Sequence, residues 1–279
     1  MNTVREAVAA AEQAFRLAGI STSALDARVL VKHTLQLSDT AFYRELERLL
    51  MPGEKERLHL LIMRRCRREP VAYLTGQREF YGLALSVSSA VLIPRPETEL
   101  LVTLAIDLIP AGGQCVDVGT GSGAIACAVA SRRPDVSVIG IDASAAACTV
   151  ARTNVKQFNL EHQIAIVRGD LLTPCTPSCT AVLANLPYLS ADEVSNLQPE
   201  IRYEPLMALT GGKDGLDLYR RLFEQLSNWS FVVLLCEVGT GQAAHLAHLA
   251  YHHWPDAVIS IHSDLAGLSR LVTVLRPSG

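Results

Sequence analysis

The sequence predicts an α/β fold: a mainly parallel sheet with helices on both faces, preceded by a small all-α bundle and a β-hairpin linker. Three observations carry this. From Gly113 onward, short apolar runs alternate with helix-like stretches, the pattern of strands buried on both faces by crossover helices. Before Glu69 the apolar residues fall at helical spacing instead. Between the two lies a partly alternating stretch with a glycine, then a pair of prolines. The chain is accordingly divided into a helical domain (1–69), a linker with a hairpin (70–95) and an α/β domain (96–279).

Val4, Val8, Ala11 and Phe15 repeat with the period of one helix face, and Gly19 ends that helix. A cap within Ser21–Ser23 opens a second helix with Leu25, Val29, Leu30 and Val31 on its apolar side. Pro52 suits the first turn of a third, with Leu58, Leu61 and Ile62 toward the core. The basic run Arg64-Arg65-Cys66-Arg67-Arg68 ends it. Such a run reads either as a solvated face at the negative end of the helix or as a contact for RNA or a ribosome-bound partner. Phe80–Val87 reads as the hairpin, and the prolines flanking Arg95 favour an extended entry into a helix near Pro96. Strands then follow at Cys115–Val118, Val136–Ile141, Ile164–Val167, Thr180–Ala184, Phe231–Cys236, Val258–His262 and Arg270–Leu275. Helices are expected at Ala124–Ala130 and Ala145–Phe158.

The 279 residues carry a net charge of −3, with 49% hydrophobic and 19% charged side chains. That fits a globular protein with a sizeable core and no overall field drawing it onto nucleic acid. The start, MNTVREAVAAAEQAF, lacks the basic head and apolar core of a secretion signal, and no apolar run reaches membrane-spanning length, so the cytoplasm is the expected compartment. Seven cysteines without regular spacing argue against a disulfide framework; Cys115, Cys127, Cys148 and Cys236 read as core side chains. His245, His248, His252 and His253 share one helix but lack a companion ligand, and Cys175 with Cys179 forms an isolated pair, so no metal is expected.

The chemistry concentrates at strand ends. Gly119-Thr120-Gly121-Ser122-Gly123 follows a strand and opens a helix, where backbone can approach a ligand closely. Asp142 ends the next strand, the place of a carboxylate that accepts from a ribose diol, which NAD and S-adenosylmethionine share. Asp170 ends the third strand and either faces an adenine amino group or caps a helix. The fourth strand runs into Asn185-Leu186-Pro187-Tyr188. The plain reading is a strand and a turn. The chemical reading pairs the Asn185 side-chain carbonyl with the Leu186 backbone carbonyl as two acceptors, fixed by Pro187 and walled by Tyr188, to hold a planar NH2 group.

Asp117 two residues before the first glycine, the alternating glycines and the Asn-Leu-Pro-Tyr end together resemble the class I S-adenosylmethionine-dependent methyltransferases. Further segments narrow the resemblance: Arg68–Gly76, Glu79–Gly82, Leu92-Ile93-Pro94-Arg95-Pro96-Glu97-Thr98-Glu99, Tyr203-Glu204-Pro205, Gly211–Leu216 and Glu237-Val238-Gly239. Over nearly its whole length the chain resembles the release factor glutamine methyltransferases, which methylate the glutamine of the Gly-Gly-Gln motif in peptide chain release factors. The resemblance implies a class I Rossmann-like sheet and S-adenosylmethionine as cofactor. It also implies a release factor as protein substrate, with the helical domain recognising it, and no stable binding to nucleic acid. By the same resemblance Gly119, Thr120, Gly121, Ser122 and Gly123 line the amino acid part of the cofactor and Asp142 its ribose, and Asp170 and Leu171 flank the adenine. Asn185 touches cofactor and substrate, Leu186, Pro187 and Tyr188 hold the substrate amide, and Arg95, Glu97 and Thr98 lie near the mouth.

One position departs from the pattern. The family usually carries Asn-Pro-Pro-Tyr, and Leu186 stands at the second position. A carbonyl remains there, but the ring that would stiffen it is absent. Asn-Leu-Pro-Tyr also resembles the ribosomal RNA adenine dimethyltransferases. An adenine amine acceptor and a non-catalytic cofactor-binding module are therefore the competing readings.

Overall fold

A computed structural model describes residues 2–277, which divide into two compact units. One comprises residues 2–77 with Gln198–Tyr203, the other residues 78–197 with 204–277.

The first unit is helical: α1 (Val4–Leu17), α2 (Ser23–Leu35), α3 (Asp39–Arg44), α4 (Pro52–Cys66) and α5 (Val71–Thr75). Its core contains Val4, Ala11, Phe15, Leu30, Val31, Leu58 and Ile62, the faces that periodicity selects. Burying one such side chain contributes about 1.5–3 kcal/mol. Gly19 follows α1 at φ +71°, a left-handed position that only glycine adopts freely. Thr22 caps α2 by position, but its hydroxyl donates to Asp26 Oδ2 at 2.9 Å instead of accepting a backbone N–H.

Three expectations are corrected here. Leu25 faces solvent, because α2 turns Ala27, Leu30 and Val31 inward. The bundle does not stop at Glu69: α5 continues it, placing Leu74 in the same core. The arginine run is neither a solvated face nor an exposed contact at Arg65. That side chain is buried and donates to Asp26 at 2.8 Å and to Glu200 at 3.0 Å. Arg68 donates to the Gly19 carbonyl at 2.7 Å and pairs with Glu200 at 2.8 Å. Glu200 comes from the Gln198–Tyr203 segment, whose Tyr203 hydroxyl donates to the Arg67 carbonyl at 2.7 Å.

The second unit begins at Arg78, within the hairpin of β1 (Gln77–Phe80) and β2 (Leu83–Ser86). Tyr81 and Gly82 have φ of +52° and +78°, the two-residue turn whose twist matches paired strands. A 3₁₀ turn at Pro96–Thr98 leads into α6 (Glu99–Leu108). Then come β3 (Gln114–Val118), α7 (Ala124–Arg132), β4 (Ser137–Asp142), α8 (Ala145–Gln157), β5 (Ile164–Arg168) and β6 (Ala181–Ala184). After them lie α9 (Ala191–Ser195), α10 (Asp217–Leu226), β7 (Val233–Glu237), α11 (Ala243–His253), β8 (Val258–Ser263) and β9 (Ser269–Leu275).

The seven-stranded sheet has the order β5-β4-β3-β6-β7-β9-β8, and β9 runs antiparallel to both of its neighbours. Alternate residues of β6 enter opposite layers: Val182 and Ala184 join one core, Ala181 and Leu183 the other. Both faces are thus covered, as an apolar parallel strand requires. Cys115, Cys127, Cys148 and Cys236 are buried free thiols. Among the described residues no helix is long and apolar enough to cross a membrane.

Candidate active site

The chain order reverses between β3 and β6: from β3 it passes outward through β4 and β5, then returns to the other side. Ligands of open α/β sheets bind at the carboxyl ends of the strands beside such a switch. The loop after β3 is built for close approach. Gly119, Gly121 and Gly123 have φ of +75°, +55° and +78°. The N–H groups of Gly119 and Thr120 both donate to the Ile141 carbonyl at 2.8 Å, which folds the loop over the end of β4. Asp142 is fixed by backbone donors, Gly121 N–H at 2.9 Å and Ser144 N–H at 2.8 Å. Each carboxylate oxygen keeps a further lone pair for a ligand hydroxyl. Burial raises the Asp142 pKa above the ordinary carboxylate value, against those two hydrogen bonds.

Asp117 lies beneath the loop, fully buried. Its Oδ2 accepts from the Thr120 hydroxyl at 2.6 Å, and its Oδ1 has no hydrogen-bond partner. Burial pushes its pKa up to about 7, with Thr120 and the Ala126 N–H opposing the rise.

A cavity of about 550 Å³ opens here, lined by Gly119, Gly121, Asp142, Asp170, Leu171, Asn185, Leu186 and Pro187 among others. That volume suits a small-molecule ligand. A Cβ at Gly119 would come within 3.1 Å of Leu186 Cδ2, closing the gap between the loop and the end of β6. Leu171 reaches the wall with φ of +51°, a left-handed conformation unusual for leucine. Thr120, Ser122 and Gly123 stand behind the lining: Thr120 on Asp117, Ser122 with its carbonyl on Asn154 at 2.8 Å, and Gly123 at the start of α7. Asp170 pairs with Arg221, a partner that sequence reading did not supply.

At the end of β6, Asn185 Nδ2 donates to the hydroxyl oxygen of Thr98 at 3.0 Å. Leu186 N–H donates to the Tyr219 hydroxyl at 3.3 Å. That hydroxyl lies within reach of the Ala184 carbonyl at 3.2 Å and of the Glu237 carbonyl, so it joins the ends of β6 and β7. The Tyr188 carbonyl accepts from Gln242 Nε2 at 2.8 Å. Gly215 must be glycine: at φ +79°, a Cβ there would stand 2.0 Å from the Tyr188 carbonyl oxygen. Burial, then the nearby Glu237, raises the Tyr188 pKa. Arg95 turns to Glu204 at 2.5 Å, and Glu204 also accepts from the Ile93 N–H at 3.1 Å. Glu97 is exposed, and neither it nor Arg95 lines the cavity.

Two residues at the site escaped assignment from sequence. Tyr219 belongs to the Tyr219, Leu222, Phe223, Leu226 face of α10, whose spacing signals a core but not a hydrogen bond. Glu237 was legible as a strand end and as the first residue of a matching segment, without a role. It is buried, its Oε2 has no partner, and burial pushes its pKa up to about 7 against hydrogen bonds with Thr98 and Asn185. On α11, His248 and His252 share a hydrogen bond at 3.0 Å. Among the described residues no three His, Cys, Asp or Glu side chains are arranged to hold a metal.

Among solved structures, the hMettl16 catalytic domain in complex with MAT2A 3'UTR hairpin 1 superimposes with a TM-score of 0.60 at 15% identity, over 83% of this chain and 86% of that one. A methyltransferase from Pyrococcus furiosus gives 0.52 at 12%, over 81% and 98%. These likenesses concern the fold. Residues 96–201 match the methyltransferase small domain and residues 6–76 the PrmC N-terminal domain. Sheet order, glycine loop and the carboxylate at the end of β4 together define a class I S-adenosylmethionine-dependent methyltransferase. The curated relatives are more particular. The release factor glutamine methyltransferase of Thermodesulfovibrio yellowstonii is 35% identical over 88% of this chain and 90% of its own length. That of Gloeobacter violaceus is 40% identical over 80% of each. The chain belongs to the release factor glutamine methyltransferase family.

The residues present fit the cofactor of that family. A glycine cradle that side chains would fill faces a fixed carboxylate, above a buried carboxylate oxygen with no partner in the protein.

Proposed function

We propose that this chain methylates the side-chain amide nitrogen of the glutamine in the Gly-Gly-Gln motif of a peptide chain release factor. The observation that carries the reading is the Asn185 amide at the carboxyl end of β6. Its Nδ2 is engaged by Thr98, and the residue lines the same cavity as Gly119 and Asp142. Its curated relatives bear the same activity in their names.

An amide nitrogen is a weak nucleophile because its lone pair is delocalised into the carbonyl. When bound, S-adenosylmethionine supplies an electrophilic sulfonium methyl. Gly119, Thr120, Gly121, Ser122 and Gly123 shape its amino acid site, Asp142 accepts from its ribose, and Asp170 and Leu171 flank its adenine. Asn185 Oδ1 and the Leu186 carbonyl each accept one N–H of the substrate amide. They stabilise positive charge as it develops on nitrogen and turn the lone pair toward the cofactor. Preorganised acceptors of this kind are worth several kcal/mol in a water-poor site. Tyr188 flanks the planar amide, and Pro187 restricts the backbone between them. The nitrogen loses its proton after the new bond forms. Arg95 acts through Glu204 on the entry to α6, and exposed Glu97 stands available to the protein substrate. The helical unit recognises the release factor in the cytoplasm, and stable nucleic-acid binding is not part of the reading.

The test supplies labelled methyl donor with a release factor, a Gln→Ala version of its Gly-Gly-Gln loop, and unmodified ribosomal RNA. Label on the wild-type factor alone is expected. Label on RNA, or on none of the three with cofactor bound, would overturn the proposal.

A further inference from the structure

An asparagine amide presents an oxygen on one edge and an NH2 group on the other. A half-turn about χ2 exchanges them. Only the oxygen edge can accept an N–H from a substrate amide. What holds Asn185 in the useful orientation is therefore part of the catalyst.

Thr98 alone does not decide it. A hydroxyl donates as readily as it accepts, so it would pair with either edge of the amide. The decision needs a group beyond Thr98 that does only one of the two. Glu237 is placed for this. Parallel register pairs Ala184 of β6 with Cys236 of β7, so Asn185 and Glu237 leave the sheet side by side. The Glu237 carboxyl is buried, and the side chains of Thr98 and Asn185 stand close enough to lower its pKa against the effect of burial. Once ionised, above about pH 7, the carboxylate is an acceptor only. It draws the Thr98 proton toward itself, which turns the hydroxyl lone pair to Asn185. The hydroxyl then receives Nδ2–H, the 3.0 Å contact observed, and Oδ1 is left for the cavity. Glu237 also explains its own burial. Its Oε2 has no partner, an arrangement that native cores seldom keep without a use.

We propose that Glu237 is a positioning residue that, directly and through the Thr98 hydroxyl, fixes the Asn185 amide with its oxygen toward the substrate. The inference rests on the acceptor role given to Asn185 above. Glu97, Arg270, Tyr188 and Tyr219 are the other titratable groups near Glu237, and none of them is hydrogen-bonded to the side chain of Thr98 or Asn185.

The experiment uses the full chain with a release factor and S-adenosylmethionine. It measures kcat, KM for the factor, cofactor Kd and thermal midpoint for E237Q, T98V, T98S, E237Q/T98V and N185A. Gln at 237 is isosteric but presents either edge to Thr98, so it no longer sets the direction. E237Q and T98V are each expected to lower kcat about 10- to 100-fold, the range for losing an outer partner that orients an active group. KM and Kd should stay near wild type, and T98S should keep most of the rate. The double variant should be no slower than the slower single, since both break one relay. Wild-type kcat in E237Q would overturn the proposal. So would losses that track Kd or the thermal midpoint, or that add in the double variant. Turnover retained in N185A would instead overturn the acceptor reading on which the proposal rests.

Discussion

Tyr219 holds its hydroxyl 3.3 Å from the amide nitrogen of Leu186. Where the family's usual proline would stiffen this position by its ring, this chain has an N–H and an acceptor for it. Tyr219→Phe is expected to destabilise the second unit by about 1–3 kcal/mol, the penalty for stranding buried polar groups. In a Leu186→Pro background the same change should cost less, because the N–H is already gone. Urea unfolding of the four proteins checks both statements.

Asn185→Ala should reduce methyl transfer at least about 10²-fold, the usual loss for one preorganised group at the reacting centre. Cofactor affinity should change by only a few fold. Single-turnover transfer and equilibrium dialysis separate the two effects, and a fast variant would refute the assignment.

Asp117 and Glu237 predict an unusual pH profile for the cofactor-free protein. Both pKa values rise on folding, to about 7, chiefly through burial. The native state therefore holds protons that the unfolded chain has released. Stability from these groups is complete below the ordinary carboxylate range, and declines as pH rises until about 7. The slope is at most about 1.4 kcal/mol per pH unit for each group. Asp117→Asn and Glu237→Gln should each flatten the decline between pH 5 and 7. Denaturant unfolding across that range would show it, and equal slopes in wild type and both variants would exclude it.

Gly215→Ala should damage the site without touching a chemical group. The added methyl would stand 2.0 Å from the Tyr188 carbonyl oxygen in a left-handed backbone. The expected result is a stability loss of more than about 1 kcal/mol, as for alanine placed where φ is positive, together with slower transfer. Activity at 25 °C and the unfolding midpoint are the measurements.

Asp26→Ala removes one carboxylate from buried Arg65. Breaking a buried pair costs about 3–5 kcal/mol; the lower end is expected here because Glu200 remains. Amide exchange should accelerate in α2 and α4 and stay unchanged in the sheet, which a global unfolding assay would not resolve.

The strands were legible because each is a short apolar run closed by a turn or a polar residue, and a buried parallel strand has little else to show. Asn185 and the glycine loop were legible from their place at strand ends. The partners of Asn185 were not. Thr98 and Glu237 stand 87 residues before it and 52 after it, and only the order of strands brings them together. Arg65 misled for the same reason. A run of arginines carries an outward signal, and the burial of one member depends on Asp26 and Glu200, which lie 39 and 135 positions away. Short α5 was overlooked because five residues give too little period to read.

The membership of Gln198–Tyr203 in the helical unit has a consequence for synthesis. A chain emerging amino terminus first completes α1 to α5 long before Glu200 appears. Until then Asp26 is the only carboxylate on Arg65, and Arg68 lacks its carboxylate. The helical unit is thus finished only after most of the sheet has been made. A fragment cut after residue 77 would resemble this nascent intermediate rather than the unit as it stands in the whole protein.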